Sequence, residues 1–408
     1  MKYNILKIII IILFLIISQN CLNKTKNINV LTDDINLLKM ADMFNYYHNN
    51  IKVSIDYLNI INYKKENIFN YIKINKKHSY DLVIGYYYPK FDIDPNYYYK
   101  MTKYIKNFEN DNNFYPIFYD FYKKNNEYCC LYGMDIPVII INNKIIKEKY
   151  ANSVFDFKNF IKIAQSVNYL NNNGKNETIK IGFSPLASNT DKINYFFIFN
   201  SCIVKNGKKY LFNADNAFNF YTKFDDNYNY GIKVTNKYLE KFNFIKKNQF
   251  LKKDIISLDF MSLSKALTYP SDKYSLFLIK DLNYSSLKIK SFSIIKKSKN
   301  KKNIMQFINF LLDKKNQSIL FNETLNSQYQ INNCHIPINK DIINKIENLN
   351  IKNDTLMEYL SKIKYPDFYN KKMQEVFFTK YNYCENLLNK GILKENNYID
   401  FLSEQLNK

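Results

Sequence analysis

Short apolar strands followed by helical periodicity recur along this chain, and that alternation restricts its fold more than any other feature. Residues 28–31 read as a buried strand, Thr32-Asp33-Asp34 supplies cap-type residues, and Leu37, Leu38, Ala41, Phe44 and Tyr47 then recur at spacings of three and four. Residues 51–57 alternate as a second strand, 64–74 have helical character, and 81–85 form an apolar run ending in glycine. The pattern restarts with a strand at 136–142, a helix at 155–167 capped near Ser153, and a strand at 179–183. Helices at 191–199 and 218–224 and strands at 255–260, 274–279 and 289–295 come next. The remainder is mainly helical, at 303–312, 316–321, 357–363 and 368–388. Repeated βα units predict an α/β protein whose sheets are parallel and covered by helices. With only 7 Gly and 8 Pro in 408 residues, a turn-dense β-sandwich is disfavoured.

The N-terminus predicts export. Lys2 and Lys7 precede an unbroken apolar run from Ile8 to Ile17, and Ser18-Gln19-Asn20 is a polar exit before Cys21. The apolar run is short of the roughly 18 to 20 residues that cross a bilayer, so residues 1–20 read as a signal peptide. A cysteine at that place resembles a bacterial lipobox, which implies that Cys21 is the lipid attachment site and residues 21–26 a tether. Plain cleavage, with Cys21 an ordinary thiol, is the alternative.

A formal charge of +22 invites a nucleic-acid partner, but the lysines are spread along the chain rather than blocked. Lys, Asn, Ile, Tyr and Phe share A/T-rich codons, so a biased genome accounts for the excess, and no nucleic-acid partner is expected. The chain has no arginine and no tryptophan. Without guanidinium forks to clamp carboxylates or phosphates, a neutral ligand fits best. The 37 Tyr and 32 Phe still offer flat apolar faces for stacking.

Beyond Cys21, the cysteines at 129, 130, 202, 334 and 384 are odd in number and form no disulfide framework. Cys334-His335 is the only close Cys/His pair, with His48 and His78 distant, so no metal is expected. No nucleophile elbow, P-loop or HExxH motif is present, and Asp225-Asp226 reads as solvated. The chain is therefore expected to be neither an enzyme nor a cofactor carrier.

Three stretches carry a resemblance to a known family. The first is Tyr132-Gly133-Met134-Asp135-Ile136-Pro137 leading into the strand that ends Asn142-Asn143-Lys144, with Ser153 to Phe157 following like a helix start. The second runs from Ser291 to Gln317, a strand, a Ser-Lys-Asn turn and a Phe-rich helix, followed by His335-Ile336-Pro337-Ile338-Asn339-Lys340. The third is the ending from Tyr365-Pro366 through Leu388 to Gly391. In this order they resemble the bacterial extracellular solute-binding proteins that serve carbohydrate ABC importers. The resemblance implies a two-lobed periplasmic-binding-protein-like fold of the class II type, with discontinuous lobes joined by hinge crossings. The N-lobe would comprise 27–131 plus 292–334, and the C-lobe 137–290 plus 337–408.

The same resemblance implies a monomer that captures a small solute, a sugar first, and passes it to an ABC permease, held at the membrane on the periplasmic side or cell surface. Its site would lie in loops at facing strand ends. Asp33 and Asp34 follow the first strand as acceptors for sugar hydroxyls, helix capping being their alternative role. Tyr86 and Tyr87, with Tyr88, follow Gly85 at a strand's carboxyl end and would stack on a pyranose face; surface packing is their alternative. Asp135 sits at the first crossing as an acceptor or a turn residue. Ser188, Asn189, Tyr195, Asp259, Phe260, Tyr365 and Tyr369, with Phe368, complete the set, each also open to a structural role. Other readings of the scaffold are a surface lipoprotein kept for adhesion or host contact, and a binder of polyamines or peptides.

Overall fold

The computed structural model describes residues 26–58, 68–69, 71, 79–87, 94–103, 113–146, 154–155, 159–160, 162–167, 182–183, 203–206, 209–212, 251–252, 254–279, 288–326, 336–343 and 353–363. Among them the strands are β1 (Lys26–Thr32), β2 (Ile51–Tyr57), β3 (Leu82–Tyr87), β4 (Cys130–Asp135), β5 (Pro137–Asn142), β6 (Val154–Phe155), β7 (Ile203–Asn206), β8 (Lys209–Phe212), β9 (Leu258–Ser262), β10 (Tyr274–Ile279), β11 (Lys288–Ile294) and β12 (Ile336–Pro337). The helices are α1 (Asn36–Tyr47), α2 (Pro116–Lys124), α3 (Leu263–Ala266), α4 (Lys301–Leu312), α5 (Lys314–Asn326), α6 (Lys340–Ile343) and α7 (Asn353–Lys362).

The first sheet has six strands in the order β12-β4-β11-β3-β1-β2. Strand β1 runs parallel to both neighbours, with Val30 opposite Ile55 on one side and Leu82 on the other. Ile28, Val30 and Leu31 are all fully buried, because helices cover β1 where an exposed strand would alternate. Helix α1 buries Leu37, Met40, Ala41 and Phe44, an i, i+3, i+4, i+7 stripe. Phe44 meets Phe307 and Phe310 of α4 edge-on at centroid distances of 5.1 and 5.4 Å. The predicted stripe through Leu38 and Tyr47 is corrected here: both are exposed, since they lie about a quarter-turn to either side of the centre of the Leu37, Met40, Ala41 and Phe44 stripe. On edge strand β2, Asn45 of α1 closes the backbone of Val53 by accepting its N–H at 2.7 Å and donating to its carbonyl at 2.9 Å.

The second sheet has four strands, β6-β10-β5-β9. Its middle strand β5 enters directly from β4 through Ile136 alone, and Val138, Ile139 and Ile140 are fully buried. A separate antiparallel pair joins β7 and β8.

The expectation of parallel sheets holds only for β1, β2 and β3, and for β6 beside β10. Strand β11 is antiparallel to β3 and β4, and β5 is antiparallel to β9 and β10. Strand direction follows from where the chain re-enters a sheet, and here it re-enters from the other sheet rather than through a local helix. The predicted helix at 155–167 is also shorter: Val154–Phe155 pairs with Leu278–Ile279 as strand, and helix begins among the described residues at 159. Gly182 and Phe183, expected in a strand, are a bend and coil. The predicted helices at 191–199, 218–224 and 368–388 lie outside the described residues.

Among the described residues the chain passes between the two sheets twice, once on either side of the second sheet's strands. It leaves the first at Asp135–Pro137, returns between Ile279 and Lys288, and gives β12 to the first sheet before continuing. Pairing extends β11 to Lys288, opposite Asp135, and holds Pro337 opposite Gly133. Beyond β12, Tyr115 donates its N–H to Ile338 at 3.0 Å, and the Tyr359 hydroxyl reaches the Ile279 carbonyl at 2.8 Å.

Candidate functional site

Parallel strands β1, β2 and β3 end together, and the turn from β1 into α1 builds an acidic ledge there. Thr32 Oγ1 accepts the Asp34 N–H at 3.0 Å, and Asp34 Oδ1 accepts the Asn36 N–H at 3.2 Å, so Asp34 makes an Asx turn ahead of α1, whose N-cap is Ile35 without a side-chain cap bond. Leu58, just past β2, donates its N–H to the Thr32 carbonyl at 2.8 Å. Asp33 lies against β3: a Cβ on Gly85 would come within 2.2 Å of Asp33 Oδ1. Glycine at 85 thus makes room for a carboxylate beside the strand backbone. Tyr57, the last residue of β2, has its phenol pushed up, first by burial and then by the negative charge of Asp33 and Asp34. That effect places all three groups in one electrostatic neighbourhood.

Asp34 has a second set of partners. Lys290 Nζ of β11 lies 2.7 Å from its Oδ2, and the Tyr132 hydroxyl of β4 donates to the same oxygen. Gln317 of α5 then donates to the Tyr132 carbonyl at 3.2 Å. Three distant segments therefore meet on one buried carboxylate, which is spent on internal bonds. Sequence reasoning missed Lys290; in a Lys-Ile-Lys-Ser run it looks solvated, and no local signal marks it as interior.

Asp135 terminates β4 at the first crossing. Its Oδ1 accepts the N–H groups of Ile136 at 3.0 Å and Ser264 at 3.1 Å, and its Oδ2 accepts the Ser264 hydroxyl. Leu263 N–H adds a 2.7 Å bond to the Ile136 carbonyl. The carboxylate thus fastens the crossing to the start of α3, and of the two roles considered for Asp135 the structure supplies the turn-fixing one.

On the second sheet, Asp259 and Phe260 lie in edge strand β9. Phe260 packs in a buried trio with Phe160 and Phe183, at centroid distances of 4.7 and 5.8 Å. Its predicted place in a ligand wall is corrected to a place in the core: its side chain takes the inward face of the alternating strand. Asp259 takes the opposite face, is buried, and accepts the Phe260 N–H at 2.7 Å. Burial pushes its carboxyl up to about 7, against smaller lowering by that bond and by Lys265.

Tyr86 and Tyr87 are not in a loop beyond β3 but inside it, where Tyr86 pairs with Lys290 and Tyr87 with Ile289. Strand pairing with β11 extends β3 past the glycine that the sequence suggested as its end. The structure thus gathers Asp33, Asp34, Tyr57 and the Gly85–Tyr87 strand end at one place, with Asp135 at the crossing and Asp259 on the second sheet. Ser188, Asn189, Tyr195, Tyr365, Phe368, Tyr369 and Cys21 lie outside the described residues. Among the described residues no group of three or more His, Cys, Asp or Glu is placed to hold a metal, and no helix is long and apolar enough to cross a membrane.

No protein-family model matches the sequence, and no curated protein does. Solved structures do. A sugar transporter of Rhizobium etli in an open conformation superposes with a TM-score of 0.65 at 11% identity, over 93% of this chain and 98% of that one. An ABC transporter solute-binding protein of Thermotoga lettingae, bound with α-D-tagatose, gives 0.62 at 12% identity, over 94% and 99%. The maltose-maltodextrin binding protein of Alicyclobacillus acidocaldarius gives 0.56 at 11% identity, over 94% and 100%. The chain has the two-lobed α/β fold of periplasmic binding proteins, with discontinuous lobes joined by crossings.

Proposed function

We propose that this protein is an extracytoplasmic solute-binding lipoprotein that captures a neutral solute, a sugar, and delivers it to an ABC importer, performing no chemistry itself. The observation that carries this reading is the fold shared with sugar-binding proteins along nearly the whole chain, together with the acidic ledge where such a fold presents its strand ends. The lobes are residues 27–131 plus 292–334 and 137–290 plus 337–408, with Lys288–Lys290 and Pro337 paired into the first sheet as hinge segments, and they close on the solute as a monomer. Asp33 accepts hydrogen bonds from hydroxyl groups, and Tyr86 or Tyr87 stacks on the sugar ring, faced by Tyr195 or Tyr369. Cys21 carries the acyl chains.

Mass spectrometry of ligand carried through native purification identifies the solute, and calorimetry then measures it. Tyr86→Ala or Tyr87→Ala weakens binding by about one to two decades with the melting temperature unchanged. Normal binding by both variants would remove the stacking site. Cys21→Ser releases the protein from membranes; unchanged fractionation would remove the anchor.

A second reading, a polyamine ligand, starts from the Asp33 carboxylate beside Gly85, since Asp34 is already paired with Lys290. A polyamine would sit on such a ledge through its ammonium groups. Binding of spermidine but of no sugar would select it.

A further inference from the structure

The turn between β11 and α4 reads Lys296-Lys297-Ser298-Lys299-Asn300-Lys301-Lys302, the densest run of lysines among the described residues. Lys296, Lys297, Lys299 and Lys302 are exposed. The side chain of Lys301 and the backbone of Lys296 hold the turn in place. Lys301 Nζ donates to the Ser298 carbonyl at 2.6 Å and stands 4.8 Å above the Tyr99 ring. Lys296 donates its N–H to the Tyr97 carbonyl at 2.8 Å.

This turn lies at the end of the first sheet where β1 begins. Asn300 Nδ2 donates to the Asn27 carbonyl at 3.1 Å, and Asn27 pairs in register with the exposed Lys52 of β2. Exposed Lys26 is next to it. Six exposed lysines therefore share one edge. Three carboxylates lie there against the six lysines: Asp81, which accepts the Ser298 hydroxyl at 2.5 Å and the Asn29 N–H at 3.0 Å, Glu127, which is 3.3 Å from Lys100, and Asp94, which accepts the Asn96 N–H at 2.9 Å.

We propose that this lysine edge is a foot that seats the protein on an anionic lipid surface. The inference rests on the Cys21 tether proposed above. Four residues separate Cys21 from Lys26, five steps along the chain and a span of at most about 18 Å even fully extended. An acyl chain on Cys21 thus holds the edge close enough to meet lipid headgroups, and the edge carries the charge to bind them. Two weak attachments, one lipid chain region and one basic patch, combine into stable anchoring.

The test removes the acyl chain from the comparison. The mature chain with Cys21→Ser is sedimented with vesicles of phosphatidylcholine and of equimolar phosphatidylcholine and phosphatidylglycerol. Salt is set at about 0.05 M and about 0.5 M to vary screening. Binding is expected on the anionic vesicles alone, at low salt. Lys296→Gln, Lys297→Gln, Lys299→Gln and Lys302→Gln together weaken it at least about tenfold, each lysine near such a surface strengthening binding by about fivefold. A control set of equal charge, Lys123→Gln, Lys162→Gln, Lys273→Gln and Lys315→Gln, binds as the parent does. Thermal melts of both variants match the parent, as all eight side chains are exposed. Equal losses in the two sets, absence of binding to anionic vesicles, or retention on duplex DNA in preference to vesicles would each overturn the foot. Acylation is scored separately, by the mass of the Cys21 peptide from membranes, so an unacylated chain that still binds anionic vesicles refutes the tether and not the foot.

Discussion

Lys290 Nζ lies 2.7 Å from Asp34 Oδ2, with both side chains 1% exposed, although 256 positions separate them in the chain. The pair fastens the turn after the first strand to the strand that returns from the second sheet. Tyr132 adds a third bond to the same carboxylate. Ion pairs this deep are sensitive to the loss of one member, because the charge left behind keeps its desolvation cost.

Lys290→Met should therefore destabilise the fold by about 3 to 5 kcal/mol, read from urea unfolding at neutral pH. The double variant Lys290→Met with Asp34→Leu should recover part of that loss. A single variant within about 0.5 kcal/mol of the parent would mean that the pair contributes only position and no measurable stability.

Gly85→Ala tests the seat of Asp33. The added methyl would lie 2.2 Å from Asp33 Oδ1 and 3.0 Å from Ile68 Cγ2, so the carboxylate must move. We expect a loss of about 1 to 3 kcal/mol in stability from overpacking. Solute affinity should fall about tenfold if Asp33 makes one hydrogen bond to it. Unchanged calorimetric affinity in a destabilised variant would separate Asp33 from the ligand.

Asp259 predicts a pH dependence with a definite sign. Burial raises its carboxyl from 3.8 to about 7, so between those values the folded state holds a proton that the unfolded chain has released. Its favourable contribution is complete below the unfolded value and is lost as pH rises through about 7. Relative to the parent, Asp259→Asn should gain stability across that window, by up to about 4 kcal/mol. Urea unfolding of both proteins at acidic and neutral pH measures the difference; two parallel curves would refute it.

Ser264→Ala removes the hydroxyl that Asp135 accepts and leaves two backbone N–H groups on the carboxylate. A cost of about 1 to 3 kcal/mol is expected from one hydrogen bond to a buried charged group. The crossing itself persists, so solute-induced compaction in small-angle scattering should remain. Loss of compaction with binding intact would show that Asp135 and Ser264 govern closure rather than stability alone.

Strands β1, β2 and β3 of the first sheet were legible because apolar runs of four to seven residues between polar turns have few other solutions, whereas β4 and β12 were not read as strands. Strands at 28–31, 51–57 and 81–85 were each found within a few residues of β1, β2 and β3. Helix α4 was legible from the spacing of Ile304, Phe307, Ile308 and Leu311. The end of β3 was not, since Tyr86 and Tyr87 are kept in strand by pairing with β11, more than two hundred residues away. Phe260 was misplaced for a related reason: alternation shows that neighbours face opposite ways, but which face is the core depends on Phe160 and Phe183.

Local chemistry in the sequence determined the α/β class and the turn at Thr32-Asp33-Asp34, because caps, periodicity and short apolar runs act over a few residues, while Asp135 at the crossing was implied by the family resemblance. Tertiary structure alone decided that Lys290 is interior, that Asp34 is consumed by it, and that the two sheets are largely antiparallel beyond β3. These outcomes depend on which strands become neighbours, and that is set by non-local pairing, where burial changes the energy of a charge far more than its sequence surroundings do.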